Sequence, residues 1–219
     1  GLAAEKAGDS PHIILFPEIP FDEEKFLART KDCVAKYGYC AVVVSEGVRN
    51  AEGKFLADAG TRDAFGHAQL GGVGPVVAQL VKDKLGYKYH WAVADYLQRA
   101  ARHIASKVDV EQAYAVGKAA VDLALQGHNS VMPTIVRTSN RPYRWKIGMA
   151  SLDKVANVEK MLPRDYITPD GLHITAKGRK YLAPLIQGED YPPYQGGLPK
   201  YVVLKNKPVK KKLKQAYVV

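Results

Sequence analysis

Two short apolar runs bracket an amphipathic one near the start of the chain. His12-Ile13-Ile14-Leu15-Phe16 and Cys40-Ala41-Val42-Val43-Val44 show no polar–apolar alternation, the pattern of strands buried on both faces. Between them Phe26, Leu27, Thr30, Cys33, Val34 and Tyr37 recur at helical spacing, with Asp22 placed to cap the helix and Gly38 to close it. Pro17-Glu18-Ile19-Pro20 ends the first strand and Ser45-Glu46-Gly47 the second. A helix between two strands makes a crossover connection, which sets the strands parallel. The pattern therefore predicts an α/β fold, mainly parallel in its sheet, with flanking helices.

Further along, residues 48–74 are polar and glycine-rich, too long for an ordinary connection, and read as a functional or interface loop. Pro75 suits the first turn of a helix that runs to about Leu85 and stops at Gly86. His90 to Asp95 fits a third strand. From Arg99 the chain is helical, breaks near Lys107 and Val108, and restarts with Asp109 as cap, running to Gly127. Ser130 to Arg137 and Tyr143 to Ile147 read as strands joined by Ser139-Asn140-Arg141-Pro142. Ser151 opens a short helix that Pro163 ends. From Pro184 onward proline, glycine and tyrosine dominate, and the chain is expected to wrap the surface. Leu2 to Ala7, followed by Gly8, resembles the last turns of a helix with its closing glycine and no start signal. That suggests a piece of a longer polypeptide.

The net charge of +10 is concentrated at one end. Residues 200–219 hold seven lysines and no acid, and without those seven the net charge is +3. Such a run is ordinarily a solvated tail, so nucleic-acid binding is not expected. No uncharged apolar run approaches the roughly 20 residues of a membrane span, and Gly1 to Ser10 lacks the pattern of a signal peptide. Cys33 and Cys40 lie in apolar segments and read as reduced core residues of a cytosolic protein. The six histidines form no helical pair with a third ligand, which leaves no zinc signature. Gly71-Gly72-Val73-Gly74 lacks the Gly-Lys-Ser/Thr of a P-loop, and Ser45-Glu46-Gly47 lacks the glycine a nucleophile elbow requires.

The chemistry-bearing candidates sit at strand ends. Glu18 follows the first strand, at the carboxyl end where open α/β sheets bind ligands. A carboxylate there accepts hydrogen bonds from sugar hydroxyls, or else caps nearby backbone amides. Tyr96-Leu97-Gln98-Arg99 follows the predicted third strand. An arginine fork and a tyrosine hydroxyl three residues apart can grip one phosphate. The alternative is a surface arginine paired with an acid beside a core tyrosine. Lys88 and His90 precede the pair and add positive charge to the same place.

Taken together these stretches resemble the C-terminal half of a phosphofructokinase of the pyrophosphate-dependent bacterial type. The matching segments are Pro11-His-Ile-Ile-Leu-Phe-Pro-Glu18, Tyr37-Gly-Tyr-Cys-Ala-Val-Val-Val-Ser-Glu-Gly47, Gly66-His-Ala-Gln-Leu-Gly-Gly72, Tyr96-Leu-Gln-Arg99 and Leu185-Ile-Gln-Gly-Glu-Asp-Tyr-Pro-Pro-Tyr194. The resemblance implies phosphoryl transfer to the 1-hydroxyl of fructose 6-phosphate with Mg²⁺, a sugar contact by Glu18, and a 6-phosphate grip by Tyr96, Leu97, Gln98 and Arg99. ATP-dependent short forms of the family carry histidine where Tyr96 stands and two glycines where Ala100 and Ala101 stand, so these positions favour pyrophosphate as donor. The family also places a basic residue from a neighbouring subunit on the 6-phosphate, a role for which His90 or Lys88 has the spacing, although the usual arginine is absent.

The family's donor-binding, catalytic-base and Met-Gly-Arg motifs do not occur here, so the resemblance places no catalytic residue in this chain and assigns it the substrate-binding half. It further implies residues 1–95 as part of the sugar-phosphate-binding lobe, 96–185 as a segment returning across the cleft and 186–219 as a surface-wrapping basic tail. The expected assembly is a cytoplasmic homodimer or homotetramer without a membrane partner. The competing expectations are an ATP-dependent enzyme of the same superfamily and a non-catalytic module that binds a sugar phosphate or nucleic acid.

Overall fold

The computed structural model describes residues 1–62, 68–70, 72–210 and 212. Strand β1 (Ile13–Leu15), helix α1 (Glu23–Tyr37) and strand β2 (Val42–Val44) form the predicted unit, and β1 and β2 pair in parallel with Ile13 opposite Val42 and Leu15 opposite Val44. Asp22 caps α1 by accepting a hydrogen bond from the Lys25 amide at 3.0 Å. Gly38 closes the helix with φ of 80°, which lets its own amide reach the Val34 carbonyl at 2.9 Å.

Alternation along β1 explains why this strand organises the interior. Ile13 and Leu15 face Phe26 of α1 together with Val48, Val73 and Val77. Ile14 and Phe16 point to the other side and pack with Ile167. All three β1 residues are buried, as expected of a strand covered on both faces. Strand β2 departs from that expectation, because Val43 is 53 % exposed and the outer edge of β2 has no strand beside it among the described residues.

The other edge of β1 is closed by a turn rather than a strand. The Ile14 amide donates to the Leu172 carbonyl at 2.8 Å. Asp170 holds that turn, accepting from the Thr168 hydroxyl and from the Leu172 amide at 3.1 Å. Burial pushes the Asp170 carboxyl up, but these two hydrogen bonds and the charges of Lys25 and Arg29 outweigh it and hold the group below its usual 3.8. A carboxyl depressed by folding stabilises the native state above its unfolded value and loses that contribution as pH falls through the folded one. Denaturant unfolding between about pH 5 and pH 2.5 should therefore show a steeper loss of stability in the parent protein than in Asp170→Asn. Parallel curves would remove Asp170 from the acid-sensitive groups.

Several segments differ from the sequence expectation, each for a local reason. Residues 48–74 contain structure of their own: an Arg49–Phe55 bridge and an antiparallel ribbon of β3 (Asp58–Arg62) with β4 (Ala68–Leu70). Gly66, His67 and Gly71 of the glycine-rich motif lie outside the described residues. Helix α2 (Val73–Leu85) begins two residues before Pro75 and ends at Gly86 as expected. His90 to Asp95 forms no strand, since among the described residues no other segment pairs with it, and Asp95 adopts φ of 45°, which turns the chain away.

The single-turn helix α3 (Leu97–Ala100) and a 3₁₀ turn at Arg102–Ile104 precede α4 (Lys107–Leu125). The cap of α4 is Ser106 rather than Asp109: the Ser106 hydroxyl accepts from the Asp109 amide at 3.2 Å. Helix α4 packs on a long antiparallel ribbon, β5 (Val131–Asn140) with β6 (Tyr143–Ser151), which extends the two predicted strands to Asn140 and Ser151 and leaves Arg141-Pro142 as the turn.

The predicted helix from Ser151 is one 3₁₀ turn, Leu152–Lys154, because Asn157 at φ of 58° cannot continue it. Helix α5 (Ala176–Leu182), capped by Thr175, is too short to announce itself by periodicity. Nor is Leu2 to Ala7 helical. Its region is held instead by Arg179 of α5, whose guanidinium donates to the carbonyls of Gly1, Leu2 (3.3 Å) and Ala4 (2.8 Å). After a 3₁₀ turn at Ala183–Ile186, a small ribbon of β7 (Tyr194–Gln195) and β8 (Leu198–Pro199) turns through Gly196 and Gly197, both at positive φ. Residues 200–210 have no regular structure and are exposed. The α/β class stands, with the parallel β1–β2 pair at its core and antiparallel ribbons around it.

Candidate functional site

A cleft of about 1290 Å³ opens beside β2, between α1, α2 and the extended stretch that leads from Tyr87 into α3. Phe26 and Val77, which belong to the main core, form part of its floor. Lys88, His90, Tyr96 and Arg99 all line it, so the structure brings the sequence-predicted basic residues and the tyrosine to one place within a single chain.

The geometry of α3 sets how Tyr96 and Arg99 present themselves. The Arg99 amide donates to the Tyr96 carbonyl at 2.9 Å, closing the turn. The Arg99 guanidinium carbon then lies 5.2 Å from the centre of the Tyr96 ring. Stacking of this kind at an exposed site contributes about 0.5–1 kcal/mol and leaves the fork of N–H donors free at its edges. Tyr96 is 66 % exposed, so it is not a core tyrosine. Among the described residues no carboxylate lies within ion-pair distance of Arg99. By contrast Arg102, one turn further on, is engaged by Asp190 at 3.0 Å. Leu97 is exposed, and Gln98 contributes its backbone to the same turn.

The predicted carboxylate sits elsewhere. Glu18 does not line the cleft; its Oε1 accepts from the Leu162 amide at 2.8 Å, the backbone-capping role open to it from its position. A different acid, Glu46, lines the cleft with Tyr96 and Arg99. Its signal was present in the sequence: Glu46 follows β2 as Glu18 follows β1, at the carboxyl end of a parallel strand where ligands bind. The cleft thus brings together Arg99, which has no ion-pair partner among the described residues, the Tyr96 phenol, the basic side chains Lys88 and His90, and two carboxylates, Glu46 and Asp95. That set suits a ligand carrying a phosphate at one end and hydroxyls at the other.

Among the described residues no three His, Cys, Asp or Glu side chains come together. Cys33 and Cys40 are free thiols. Burial, reinforced by the adjoining Cys33, pushes the Cys40 thiol up to about 12, which keeps it protonated and unreactive at neutral pH. No helix among the described residues is long and apolar enough to cross a membrane.

No family model matches the chain. Individual proteins do. The pyrophosphate–fructose 6-phosphate 1-phosphotransferase of Methylococcus capsulatus is 62 % identical over 219 residues, which is 100 % of this chain and 52 % of that protein. The crystal structure of a pyrophosphate-dependent phosphofructokinase from Nitrosospira multiformis is 64 % identical and superposes with a TM-score of 0.76, over 93 % of this chain and 48 % of that one. The corresponding structure from Marinobacter aquaeolei is 54 % identical with a TM-score of 0.81, over 100 % of this chain and 51 % of that one. The chain spans about half the length of the curated relatives it matches. Agreement of this degree along the whole chain, in sequence and in fold together, means that the chain belongs to the phosphofructokinase family, which includes these pyrophosphate-dependent enzymes.

Proposed function

We propose that the intact enzyme carrying this chain transfers a phosphoryl group from pyrophosphate to the 1-hydroxyl of fructose 6-phosphate, giving fructose 1,6-bisphosphate and phosphate, and that this chain supplies the fructose 6-phosphate-binding half. The observation that carries the proposal is the pairing of Tyr96 and Arg99 at the mouth of the cleft, with Arg99 free of any acid among the described residues. The names and extent of the matching relatives support the same reaction.

Arg99 and Tyr96 hold the 6-phosphate, with Leu97 and Gln98 shaping the turn between them. Lys88 and His90 add charge, either within this chain's cleft or toward a neighbouring subunit of a homodimer or homotetramer. Glu46 is better placed than Glu18 to accept hydrogen bonds from the sugar hydroxyls, because it shares the cleft. The 6-phosphate is remote from the reacting hydroxyl, so its binding energy serves to orient the sugar for in-line transfer. Residues 1–95 act as part of the sugar-phosphate lobe, 96–185 as the return across the cleft and 186–219 as the basic tail. Mg²⁺ and the donor are held by the other half of the enzyme, and the reduced thiols suit a cytoplasmic setting.

The discriminating experiment assays the intact enzyme with pyrophosphate and with ATP. Formation of fructose 1,6-bisphosphate with pyrophosphate, at a kcat/KM about a hundredfold or more above that with ATP, is expected from a difference of about 3 kcal/mol in transition-state binding. Faster turnover with ATP would overturn the donor assignment. The chain alone is expected to bind fructose 6-phosphate without turnover.

A further inference from the structure

The run Leu185-Ile-Gln-Gly-Glu-Asp190 folds back on the chain just beyond the phosphate grip. The Ser106 hydroxyl donates to the Leu185 carbonyl at 2.8 Å. The amides of Lys107 and Val108 donate to the carbonyls of Gly188 (3.1 Å) and Gln187 (3.2 Å). Arg102 donates to the main-chain carbonyl of Asp190 and, at 3.0 Å, to its carboxylate. Gly188 is required for the approach: it has φ of 74°, and a Cβ there would lie 2.8 Å from Cβ of Lys107.

This attachment matters because α3 is one turn long. A helix of four residues cannot hold its own direction in water, since nucleation costs more than one turn of hydrogen bonds returns. Its orientation comes from whatever fixes its ends. The leading end is set by the left-handed backbone of Asp95. The trailing end runs straight into Arg102, which Asp190 grips twice. Two arginines three residues apart are thus used differently: Arg99 faces the cleft without a carboxylate among the described residues, while Arg102 is committed to the 185–190 run.

We infer that Leu185–Asp190 is a strap that orients the Tyr96–Arg99 turn, with Arg102 and Asp190 acting as positioning residues for the 6-phosphate contact. The inference rests on the reading of Tyr96 and Arg99 as the phosphate grip. Neither Arg102 nor Asp190 lines the cleft; both act through α3.

The test compares Arg102→Ala, Asp190→Asn, their double variant and Arg102→Lys with Arg99→Ala in the intact enzyme. The readouts are kcat, KM for fructose 6-phosphate, KM for pyrophosphate and thermal midpoint. Arg102→Ala is expected to raise the KM for fructose 6-phosphate about five- to tenfold, with kcat and the KM for pyrophosphate within about twofold. Asp190→Asn should raise it about threefold, and the double variant no more than Arg102→Ala alone, since both break one contact. Arg102→Lys, which keeps the charge, should recover part of the loss. Should Arg102→Ala fail to fold, Asp190→Asn, which keeps the side-chain shape and the main-chain acceptor, decides alone. An unchanged KM for fructose 6-phosphate in Arg102→Ala and Asp190→Asn, or a parallel rise in both KM values, overturns the strap while Arg99→Ala still raises the sugar-phosphate KM. If Arg99→Ala itself has no effect, the phosphate-grip reading fails first.

Discussion

Replacing Arg99 with alanine in the intact enzyme is expected to raise the KM for fructose 6-phosphate by about tenfold or more while kcat changes by less than about threefold. The size follows from the contact. A hydrogen bond to a charged partner is worth roughly 1.5–3 kcal/mol, and each 1.4 kcal/mol is a factor of ten. Arg99 has no carboxylate partner to give up among the described residues, so its fork is available to the ligand. The effect falls on KM because a phosphate far from the reacting hydroxyl is gripped equally in ground and transition states. Steady-state kinetics with fructose 6-phosphate varied at saturating pyrophosphate measures it. Unchanged kinetics would remove Arg99 from the site, and a fall in kcat alone would assign it to the chemical step.

Phe26→Ala should destabilise the fold by about 3–5 kcal/mol, the range for removing a fully buried aromatic side chain. Phe26 is 0 % exposed, stands at the centre of the cluster formed by Ile13, Leu15, Val48, Val73 and Val77, and meets the Phe21 ring at 5.5 Å between centroids. The surrounding strands and helices converge on it from β1, α1 and α2, so no single element can shift to fill the space. Phe26 also floors the cleft, so weaker fructose 6-phosphate binding should accompany the loss of stability. Chemical denaturation of the intact enzyme checks the first effect, and a loss below about 1 kcal/mol would show that the core around α1 collapses freely onto the vacancy.

The parts of the fold that were legible in the sequence are those governed by short-range rules. The two strands, α1 with its Asp22 and Gly38 caps, and α2 with its Gly86 stop all follow from apolar periodicity and cap chemistry. Errors arose where a partner far along the chain decided the outcome. Leu2 to Ala7 has helical composition, yet its carbonyls are taken by Arg179. Val155 to Leu162 could extend a helix by composition, yet Asn157 leaves the helical region and the Leu162 amide is directed to Glu18. His90 to Asp95 has strand-forming residues, yet among the described residues no strand pairs with it.

The same division applies to the site. Local sequence rules carried the family resemblance, the parallel β1–β2 pair and the closeness of Tyr96 to Arg99, because an arginine and a tyrosine three residues apart on one turn must lie near each other. That Glu46 and not Glu18 shares the cleft with Tyr96 and Arg99 came from tertiary structure. Glu18 and Glu46 both follow parallel strands, and nothing local separates them. Leu162 packs against Ile14 and Phe16 and its amide donates to Glu18, whereas Glu46 lines the cleft that Tyr96 and Arg99 also line. Tertiary structure also decided that Arg102 is held while Arg99 has no ion-pair partner among the described residues, since the acid that distinguishes them, Asp190, lies 88 residues along the chain from Arg102.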